Sequence, residues 1–455
     1  MIGLNKIGLN QVQLNRLRLN APFPAYGKMA GGGGSGDGFP VLPGDVTRWH
    51  FGGLTNEMMA AMDDPRIEDA DGKGRFLSFK NFAWKEGSGI SDIYPGALVF
   101  DGVDDWAGCD NLPLLPKEKG YGIIALRNWI TRYDATQYKR PLISNLDTND
   151  EGAFLIEYRK GENVNDVTGS YNSFTDVYID DNNPITWQTS SSYNGQIIKK
   201  GTSKSSNKLC ICKTYFGQLS KYANAAIWEI VILDHDATEE ELTKIKDYFV
   251  KTYPWLFPDQ AWTVVGKTNE DEDRATITNI TGNGNDLVLS NFGFIEGSGY
   301  NEEGQYAGYL VTDGVDDKIA SSDFKMGKDF TIVGDWKFID NKKSGTGLVK
   351  GSSFYIYNTM IGLDLYINSG SVKNSLDGIK SINAACSDGR AYDRNWNEIL
   401  ANTGNVVGSG GILEVSSSGG RFDRIAFKNL AIYPRILSKD DCIKAYNYLQ
   451  TLKAK

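Results

Sequence analysis

Two aspartate-rich turns are the residues of this sequence best suited to bind a cation. The stretch DGVDD occurs twice, at 101–105 and at 313–317. Clustered carboxylates are the ligands that hard cations such as Ca²⁺ prefer. The candidate calcium ligands are Asp104, Asp105, Asp316 and Asp317. One turn supplies fewer oxygens than calcium requires, and aspartate also favours turns because it bonds the nearby backbone. Both interpretations stay open, and no other cofactor is expected.

Exposed aromatic rings beside polar groups could bind sugars by stacking. The sequence offers several tryptophans, and Trp49 and Trp262 stand at corresponding places of a repeated pattern described below. Trp84 is matched there by Phe294. Shared aromatic positions favour packing in a core. Trp106 and Trp187 have no aromatic counterpart, and they are therefore the candidate contacts to a glycan.

No catalytic residue is assigned from the sequence. Hydrolysis of a glycan requires two carboxylates placed across a cleft, and the acidic run at 270–274 lies in polar, loop-like surroundings. His50 and His235 are not beside a nucleophile motif. The glycine run GGGGSG lacks the Lys-Ser/Thr pair of a phosphate-binding loop. We expect a protein without enzymatic activity.

The composition limits the classes of protein that this chain can be. Its 455 residues predict two or three domains. The 51 glycines and the 12% of aromatic residues favour many strands joined by tight turns. The net charge of -9 argues against a nucleic acid as partner. No apolar run is long enough for membrane insertion. The five cysteines show no CxxC pattern and are interpreted as free thiols.

A large internal duplication organises most of the chain. WHFGGLTNE at 49–57 matches WTVVGKTNE at 262–270, and NFAWKEGSGI at 81–90 matches NFGFIEGSGY at 291–300. Further matching pairs are LVFDGVDDWAG with LVTDGVDDKIA, and the segments that begin at Ile227 and Phe427. The predicted organisation is an N-terminal segment at 1–20, a Gly/Pro-rich hinge at 21–44, a first domain at 45–256 and a second at 257–455.

Each copy reads as a series of strands followed by one helix. The Asp-Gly pairs at 101–102 and 313–314 predict tight hairpin turns, since these residues tolerate a positive φ. Thr238 and Ser438 are expected to cap the two helices. The buried helical faces are predicted from spacing as Leu242, Ile245 and Phe249, and as Cys442, Ala445 and Leu449.

The strand-turn FDGVDD and the terminal pattern ATEEELTKIKDY together resemble the laminin-G-like, concanavalin A-like jelly-roll domains. Both copies carry both patterns, at 100–105 with 238–248 and at 312–317 with 438–448. The resemblance implies an all-β fold: two tandem antiparallel β-sandwich domains, each ending in a short helix, after a short β-repeat N-terminal anchor. It implies calcium in some relatives, and it does not fix a function, because the same sandwich hosts lectins, adhesins and glycosidases.

The N-terminal segment repeats every five residues as IGLNK, IGLNQ, VQLNR and LRLNA. Aliphatic residues two apart face the same side of an extended chain, and asparagine suits the corners between them. The predicted assembly residues are Ile2, Leu4, Ile7, Leu9, Val12, Leu14, Leu17 and Leu19. One short coil cannot bury its own apolar face. We therefore expect contacts among copies of this chain, as a homotrimer, and with a larger particle.

These features together favour a structural or adhesive protein of a bacteriophage virion. In this interpretation the chain is a head or tail fibre, or a capsid decoration, that contacts other virion proteins and a host cell-surface glycan. The N-terminus lacks the continuous apolar stretch of a secretory signal, which agrees with assembly in the host cytoplasm and location in the virion. The alternatives are a carbohydrate-binding adhesin of a bacterial surface, located extracellularly, and more remotely a glycan hydrolase.

Overall fold

The structure is a computed structural model in which only part of the chain is described. The described residues are 37–115, 120–131, 139–145, 154–159, 168–171, 174–178, 183–189, 192–193, 196–197, 206–213, 222–340, 346–350, 354–358, 362–367, 374–377, 382–400, 409–415, 417–418 and 421–454. The predicted anchor at 1–20, with its eight aliphatic residues, lies outside the described residues. So do residues 21–36 of the predicted hinge.

The chain divides into two compact units. The first comprises residues 1–91 and 96–249, and the second comprises 92–95 and 250–455. Each unit is described by itself below.

The first unit contains sixteen described strands. They are β1 Val46–His50, β2 Arg66–Glu68, β3 Phe76–Lys80, β4 Gly89–Ile90, β5 Leu98–Asp101, β6 Trp106–Cys109, β7 Gly122–Thr131, β8 Lys139–Ser144, β9 Phe154–Arg159, β10 Thr168–Tyr171, β11 Phe174–Tyr178, β12 Ile185–Thr189, β13 Ser192–Tyr193, β14 Gln196–Ile197, β15 Leu209–Ile211 and β16 Asn224–Leu233. The helices are α1 Asn56–Ala60 and α2 Glu239–Thr252.

Two eight-stranded sheets form the first unit. Sheet 1 has the order β14-β13-β12-β7-β16-β5-β4, with β1 also paired to β16, and sheet 2 has the order β10-β11-β9-β8-β15-β6-β3-β2. All pairs are antiparallel except β9 with β11. One buried cluster takes Ile123 and Ile230 from sheet 1 and Ala107 and Ile156 from sheet 2. The two sheets are therefore packed face to face as a β-sandwich.

The second unit contains eighteen described strands. They are β17 Gln260–Thr263, β18 Thr276–Ile277, β19 Leu287–Ser290, β20 Gly299–Asn301, β21 Tyr309–Val311, β22 Lys318–Met326, β23 Thr331–Asp340, β24 Thr346–Lys350, β25 Phe354–Asn358, β26 Gly362–Ile367, β27 Asn374–Asp377, β28 Ile382–Cys386, β29 Arg390–Asp393, β30 Glu398–Leu400, β31 Ser409–Val415, β32 Ser417–Ser418, β33 Arg421–Phe422 and β34 Arg424–Tyr433. Helix α3 is Lys439–Thr451, and short 3₁₀ turns lie at Pro254–Leu256 and Gly304–Tyr306.

The second unit repeats most of the strand order of the first, and the difference is at one edge, where β11 lies between β9 and β10 whereas β25, β26 and β27 follow in chain order. Sheet 3 has the order β20-β21-β34-β23-β28-β29-β30, with β17 on β34, and sheet 4 has the order β18-β19-β22-β31-β24-β25-β26-β27; β32 and β33 form a separate pair. Trp49 lies opposite Ile230 in sheet 1, and Trp262 lies opposite Leu430 in sheet 3. Both tryptophans are fully buried in their cores, as predicted. The all-β fold class is confirmed, and the matching order is what a duplicated domain requires.

The terminal helices begin at the predicted caps. Thr238 Oγ1 accepts the N–H of Glu241 at 3.2 Å, and the Glu241 carboxylate accepts the N–H of Thr238 at 2.8 Å. This is a reciprocal capping box. Ser438 Oγ accepts the N–H of Asp441 at 3.1 Å, and the shorter Asp441 side chain accepts from the Ser438 hydroxyl instead. No helix in the described part of the chain is long and apolar enough to cross a membrane.

The Asp-Gly turns are corners between sheets, which corrects the prediction of hairpins. Strand β5 belongs to sheet 1 and β6 to sheet 2, and β21 and β22 likewise lie in different sheets. The predicted positive φ is present, at 76° in Gly102 and 74° in Gly314. A dipeptide specifies the local reversal of the chain, whereas the sheet that the next strand joins depends on distant residues. We call residues 101–105 and 313–317 the aspartate corners.

Candidate functional site

The aspartate corner of the first unit is held by its own side chains. Asp101 Oδ1 accepts the backbone N–H groups of Val103, Asp104 and Asp105 at 2.7, 3.2 and 3.3 Å. Asp105 Oδ2 accepts the N–H of Asp101 at 3.1 Å. The carboxylates therefore satisfy the backbone donors that a sharp turn leaves unpaired.

The corner of the second unit has three of these four bonds. Asp313 Oδ1 accepts from Val315 and Asp316 at 2.7 and 3.3 Å, and Asp317 Oδ2 accepts the N–H of Asp313 at 2.7 Å. Ser298 Oγ donates to the other oxygen of Asp317 at 3.0 Å. The two copies thus retain this arrangement down to single hydrogen bonds.

Asparagine side chains fasten each corner to the rest of its unit. Asn81 Nδ2 donates to the carbonyl of Asp104 at 3.0 Å, and Asn291 does the same to Asp316 at 3.0 Å. Both asparagines have a positive φ, of 68° and 69°, which this residue tolerates better than most. The corners are therefore parts of the fold that the chain uses twice.

Calcium does not fit these residues well. The three carboxylates of each corner offer oxygens within 4.8 Å of one another. Yet Asp101 already accepts three N–H groups, and Asp105 is fully buried, as is Asp317 in the other copy. Of the three aspartates of the first corner only Asp104 is exposed, whereas calcium takes six to eight oxygens. We therefore derive no role for a metal here.

The buried corner carboxylates carry perturbed pKa values. Burial, with a smaller contribution from the charges of Asp101 and Asp104, raises the pKa of Asp105 to about 6 against hydrogen bonds that lower it. Burial likewise raises the pKa of Asp317 to about 6, with the same contribution from Asp313 and Asp316. Perturbed carboxylates are candidates for catalysis, but these two have no exposed surface with which to reach a substrate.

The structure places the two candidate sugar-binding tryptophans on different sheets. Trp106 is on β6 in sheet 2, half-buried and facing away from the core, while its neighbour Ala107 faces the core. Trp187 is on β12 in sheet 1, opposite the outward-facing Ile124, and is also half-buried. The two rings therefore lie on opposite outer faces of the sandwich and do not form one platform.

Part of the Trp106 ring is already covered by its own unit. The ammonium of Lys213 lies 4.2 Å from the ring centroid, a cation–π contact. The six-membered ring also lies close to Gly108, where a Cβ atom would be 2.9 Å from Cζ3. Trp106 therefore has a packing role on sheet 2, which leaves less of the ring for a sugar.

A buried ionic cluster in the first unit fastens the end of the predicted hinge. Arg48 lies on β1 and is 1% exposed; its guanidinium donates to Glu229 and to the hydroxyl of Tyr248 on α2, each at 3.0 Å. It also pairs with Asp37. Phe39 lies 4.4 Å from the guanidinium and packs edge-on against Tyr248. We call these five residues the clamp, and they show that residues 37–39 belong to the packed first unit.

The charges within the clamp are matched. Burial alone would lower the pKa of Arg48, but Glu229, Tyr248 and Asp37 hold it above its ordinary value. In the second unit the positions of Arg48 and Glu229 are occupied by Ala261 and Asn429, by strand register. The clamp is therefore particular to the first copy.

The corresponding face of the second unit carries a different set of polar residues. Tyr309 on β21 donates to Asp335 on β23 at 2.8 Å, and both residues are buried. Tyr446 on α3 lies close enough to Asp335 for that carboxylate to affect its ionisation. Burial and the Asp335 charge raise the pKa of Tyr446 to about 12 and raise that of Tyr309 as well. One carboxylate thus organises two tyrosines between the sheet and the helix.

Three cations surround this pair. The ammonium groups of Lys337 and Lys428 lie 4.2 and 5.8 Å from the centroid of the Tyr309 ring. Arg394, which is exposed, is close enough to influence the ionisation of both tyrosines and of Lys337. Burial lowers the pKa of Lys337, and Arg394 and Lys428 lower it further, against an opposite effect of Asp335.

Trp396 completes this set from the turn between β29 and β30. Its ring contacts Tyr446 edge-on, with centroids 5.6 Å apart, and is half-buried. Asp393 Oδ1 accepts the N–H groups of Asn395 and Asn397, each at 2.8 Å, and so fixes the turn. Trp396 has a φ of 60°, which a bulky residue rarely adopts. We call the seven residues the Tyr309 cluster: Tyr309, Asp335, Lys337, Arg394, Trp396, Lys428 and Tyr446.

Motif search does not find the Tyr309 cluster, because its members are scattered between residues 309 and 446. The duplication contains a weaker signal. Aligned positions hold Ala97 where the second copy has Tyr309, Trp228 where it has Lys428, and Lys246 where it has Tyr446. The two copies thus differ in polarity at these aligned positions, although their core residues agree. This difference indicates a surface that has diverged between the copies.

No protein-family model matches the sequence, and no curated protein matches it. Among solved structures, the chain is similar to domain 4 of AbnA, a GH43 extracellular arabinanase from Geobacillus stearothermophilus in complex with arabinotriose. That match has 14% identity and a TM-score of 0.31, and covers 42% of this chain and 98% of that one.

Two other solved structures are similar over more of the chain. Trypanosoma rangeli sialidase in complex with sialic acid has 10% identity and a TM-score of 0.31, covering 85% of this chain and 68% of that one. The structure of HCR/D-Sa-GBL1/C has 10% identity and a TM-score of 0.32, covering 80% and 95%. At these scores the similarities carry no argument about ligand or activity.

Proposed function

We propose that this chain is a non-enzymatic attachment protein with two sandwich modules. The observation that supports this most is the divergence of one face between two copies of the same fold. In the first copy the face beside the terminal helix holds the chain's own residues 37–39 through the clamp. In the second copy it presents cations and aromatic rings. The first unit receives the N-terminal segment, and the second contacts a ligand.

The N-terminal segment is proposed to assemble copies of the chain. Burial of its eight aliphatic side chains is worth roughly 1.5–3 kcal/mol each, whereas ordering the segment costs about 1–2 kcal/mol per residue. For a single chain the free energy of burial is largely offset by the entropy cost of ordering the segment. When several chains pack their apolar faces together, more side-chain area is buried while the ordering cost per chain stays the same. The clamp supports this role because it fixes Asp37 and Phe39, which lie in the hinge after the segment, to the first module.

The particle that we propose is a bacteriophage virion, in which the chain is a head or tail fibre or a capsid decoration. The N-terminal segments would form a homotrimer on other virion proteins, and the sandwich modules would face a host cell-surface glycan. The order along the chain, an apolar repeat at 1–20 followed by two sandwich modules, supports this arrangement. Mass spectrometry of purified particles tests it: the chain is expected among virion proteins, and its recovery only from the bacterial envelope would favour the adhesin instead.

Carbohydrate attachment without hydrolysis is the activity that we expect of the modules. The described carboxylates with strongly raised pKa values are Asp105 and Asp317, which are enclosed by their corners. An array of bacterial surface polysaccharides, probed with the full chain, is expected to show saturable binding with no release of reducing sugar. Absence of binding would contradict attachment. Sugar release that one Asp or Glu substitution abolishes would show a hydrolase.

A further inference from the structure

We propose that the Tyr309 cluster binds an anionic sugar residue, one that carries a carboxylate or a sulfate group. This inference rests on the proposed glycan attachment and assigns it to one surface of the second unit.

The charge of the cluster favours an anion. Lys337, Lys428 and Arg394 approach from two neighbouring strands and one turn, and two of them share the ring of Tyr309. Among the described residues, no carboxylate oxygen is paired with any of the three within 4.0 Å. The carboxylate at the centre, Asp335, is 6% exposed and accepts the hydroxyl of Tyr309 at 2.8 Å. Arg394 is exposed, while Lys337 and Lys428 are half-buried and the Lys428 ammonium also donates to Gln450 Oε1 at 2.8 Å. The charges nearest the surface of the cluster are therefore positive.

The aromatic residues provide a surface for the sugar itself. Trp396 and Tyr446 lie edge to face at the border of the cluster, and both are half-buried. A sugar ring can pack its C–H groups against such rings while its anionic group reaches a cation. The turn that carries Arg394 and Trp396 is fixed by Asp393, so little ordering is required when a ligand binds.

The first unit serves as an internal reference. The positions that correspond to Tyr309, Asp335 and Lys428 are Ala97, Leu126 and Trp228, as alignment and strand register show. At these three described positions the first unit has no carboxylate and no cation. A ligand that depends on the cluster is therefore expected to bind once per chain.

Binding of the full chain to three polymers tests the inference: polygalacturonate supplies carboxylates, dextran sulfate supplies sulfates, and dextran is neutral. We expect at least one anionic polymer to bind roughly tenfold or more tightly than dextran, and the two anionic arms identify the preferred group. Arg394→Gln and Lys337→Met should each weaken that binding by roughly tenfold. Trp396→Ala should weaken it as well, which simple ion exchange would not predict.

Lys439→Met is the matched control, because Lys439 is an exposed lysine at the other end of α3. Its binding should stay within about twofold of wild type. Equal losses in Lys439→Met and Lys337→Met, or unchanged binding in both Arg394→Gln and Trp396→Ala, would overturn the inference. Arg394 is exposed, so its replacement leaves the core intact. Equal binding to dextran would overturn the anionic preference and leave glycan attachment standing, whereas binding to no glycan at all would overturn both.

Discussion

Replacement of the buried aspartates of the corners by asparagine should change how stability depends on pH. The double variant Asp105→Asn/Asp317→Asn keeps the shape of both side chains and removes two ionisable groups whose pKa values are raised from 3.8 to about 6. A shift of one pKa unit corresponds to about 1.4 kcal/mol. Each aspartate therefore contributes about 3 kcal/mol more to stability when it is protonated than when it is ionised.

The sign of this effect is opposite to that of most carboxylates. Because the folded pKa is raised, the folded state holds the proton between pH 3.8 and about 6 while the unfolded chain has lost it. The contribution is complete below pH 3.8 and is lost as the pH rises through 6. The free energy of unfolding of wild type minus that of the variant should therefore fall by several kcal/mol between pH 4 and pH 7.

Urea unfolding followed by circular dichroism at pH 4, 5, 6 and 7 measures this difference. Asp104→Asn is the matched control, since Asp104 is the exposed neighbour in the same corner. Its charge is the smallest of the causes that act on Asp105, whose largest cause is burial, so most of the pH dependence of wild type should persist in this variant. If the double variant differed from wild type by the same amount at pH 4 and pH 7, the buried carboxylates would not be protonated in the folded state, and the reasoning would be refuted.

Three further predictions concern calcium, a glycine on β4 and the thiols. Calcium at 5 mM should leave the thermal midpoint within about 1 °C of its value in EDTA, because the corner oxygens accept backbone N–H groups. A larger rise of the midpoint that Asp104→Asn abolishes would show that calcium binds at the corner. Gly89→Ala should destabilise the chain by about 2 kcal/mol more than Gly87→Ala. A Cβ atom at Gly89 would lie 2.3 Å from Asn56 Oδ1, whereas a Cβ atom at Gly87, which also has a positive φ, would meet nothing within 4 Å. Equal shifts of the thermal midpoint in the two variants would contradict this. All five cysteines are buried and none forms a disulfide, and burial raises the pKa of Cys109 to about 11 and that of Cys210 to about 12. Alkylation at pH 8 without reductant, counted by mass, should therefore modify almost no thiol in the native chain and five in denaturant. Fewer than five modified thiols in denaturant would indicate a disulfide.

Local chemistry made much of the fold predictable. The caps at Thr238 and Ser438, the buried Trp49 and Trp262, and the positive φ after Asp101 all follow from residue types and spacing. The sheet that the strand after each corner joins could not be predicted, because it depends on pairing with strands far away in the sequence. The same limit applies to helical faces: Leu242 is half-buried, whereas Ile245 and Phe249 are buried.

The Tyr309 cluster could not be predicted, because β21, β23, β34, α3 and one turn bring its residues together only in the folded unit. Conversely, Trp106 had the sequence features of a sugar-binding residue, but the Lys213 ammonium packs on its ring and the ring itself lies over Gly108. The type of a surface residue predicts what it can contact, and its neighbours in three dimensions decide how much of it is available.

The most direct test of the proposed attachment protein compares the full chain with a truncated chain that begins at Asp37. Residue 37 is the starting point because Asp37 and Phe39 contact Arg48 in the clamp. Sedimentation velocity should show a homo-oligomer, a trimer in our proposal, for the full chain, and a folded monomer for the truncated one that still binds its glycan. An equal oligomeric state in both chains would contradict the account, because assembly would then not depend on the N-terminal segment.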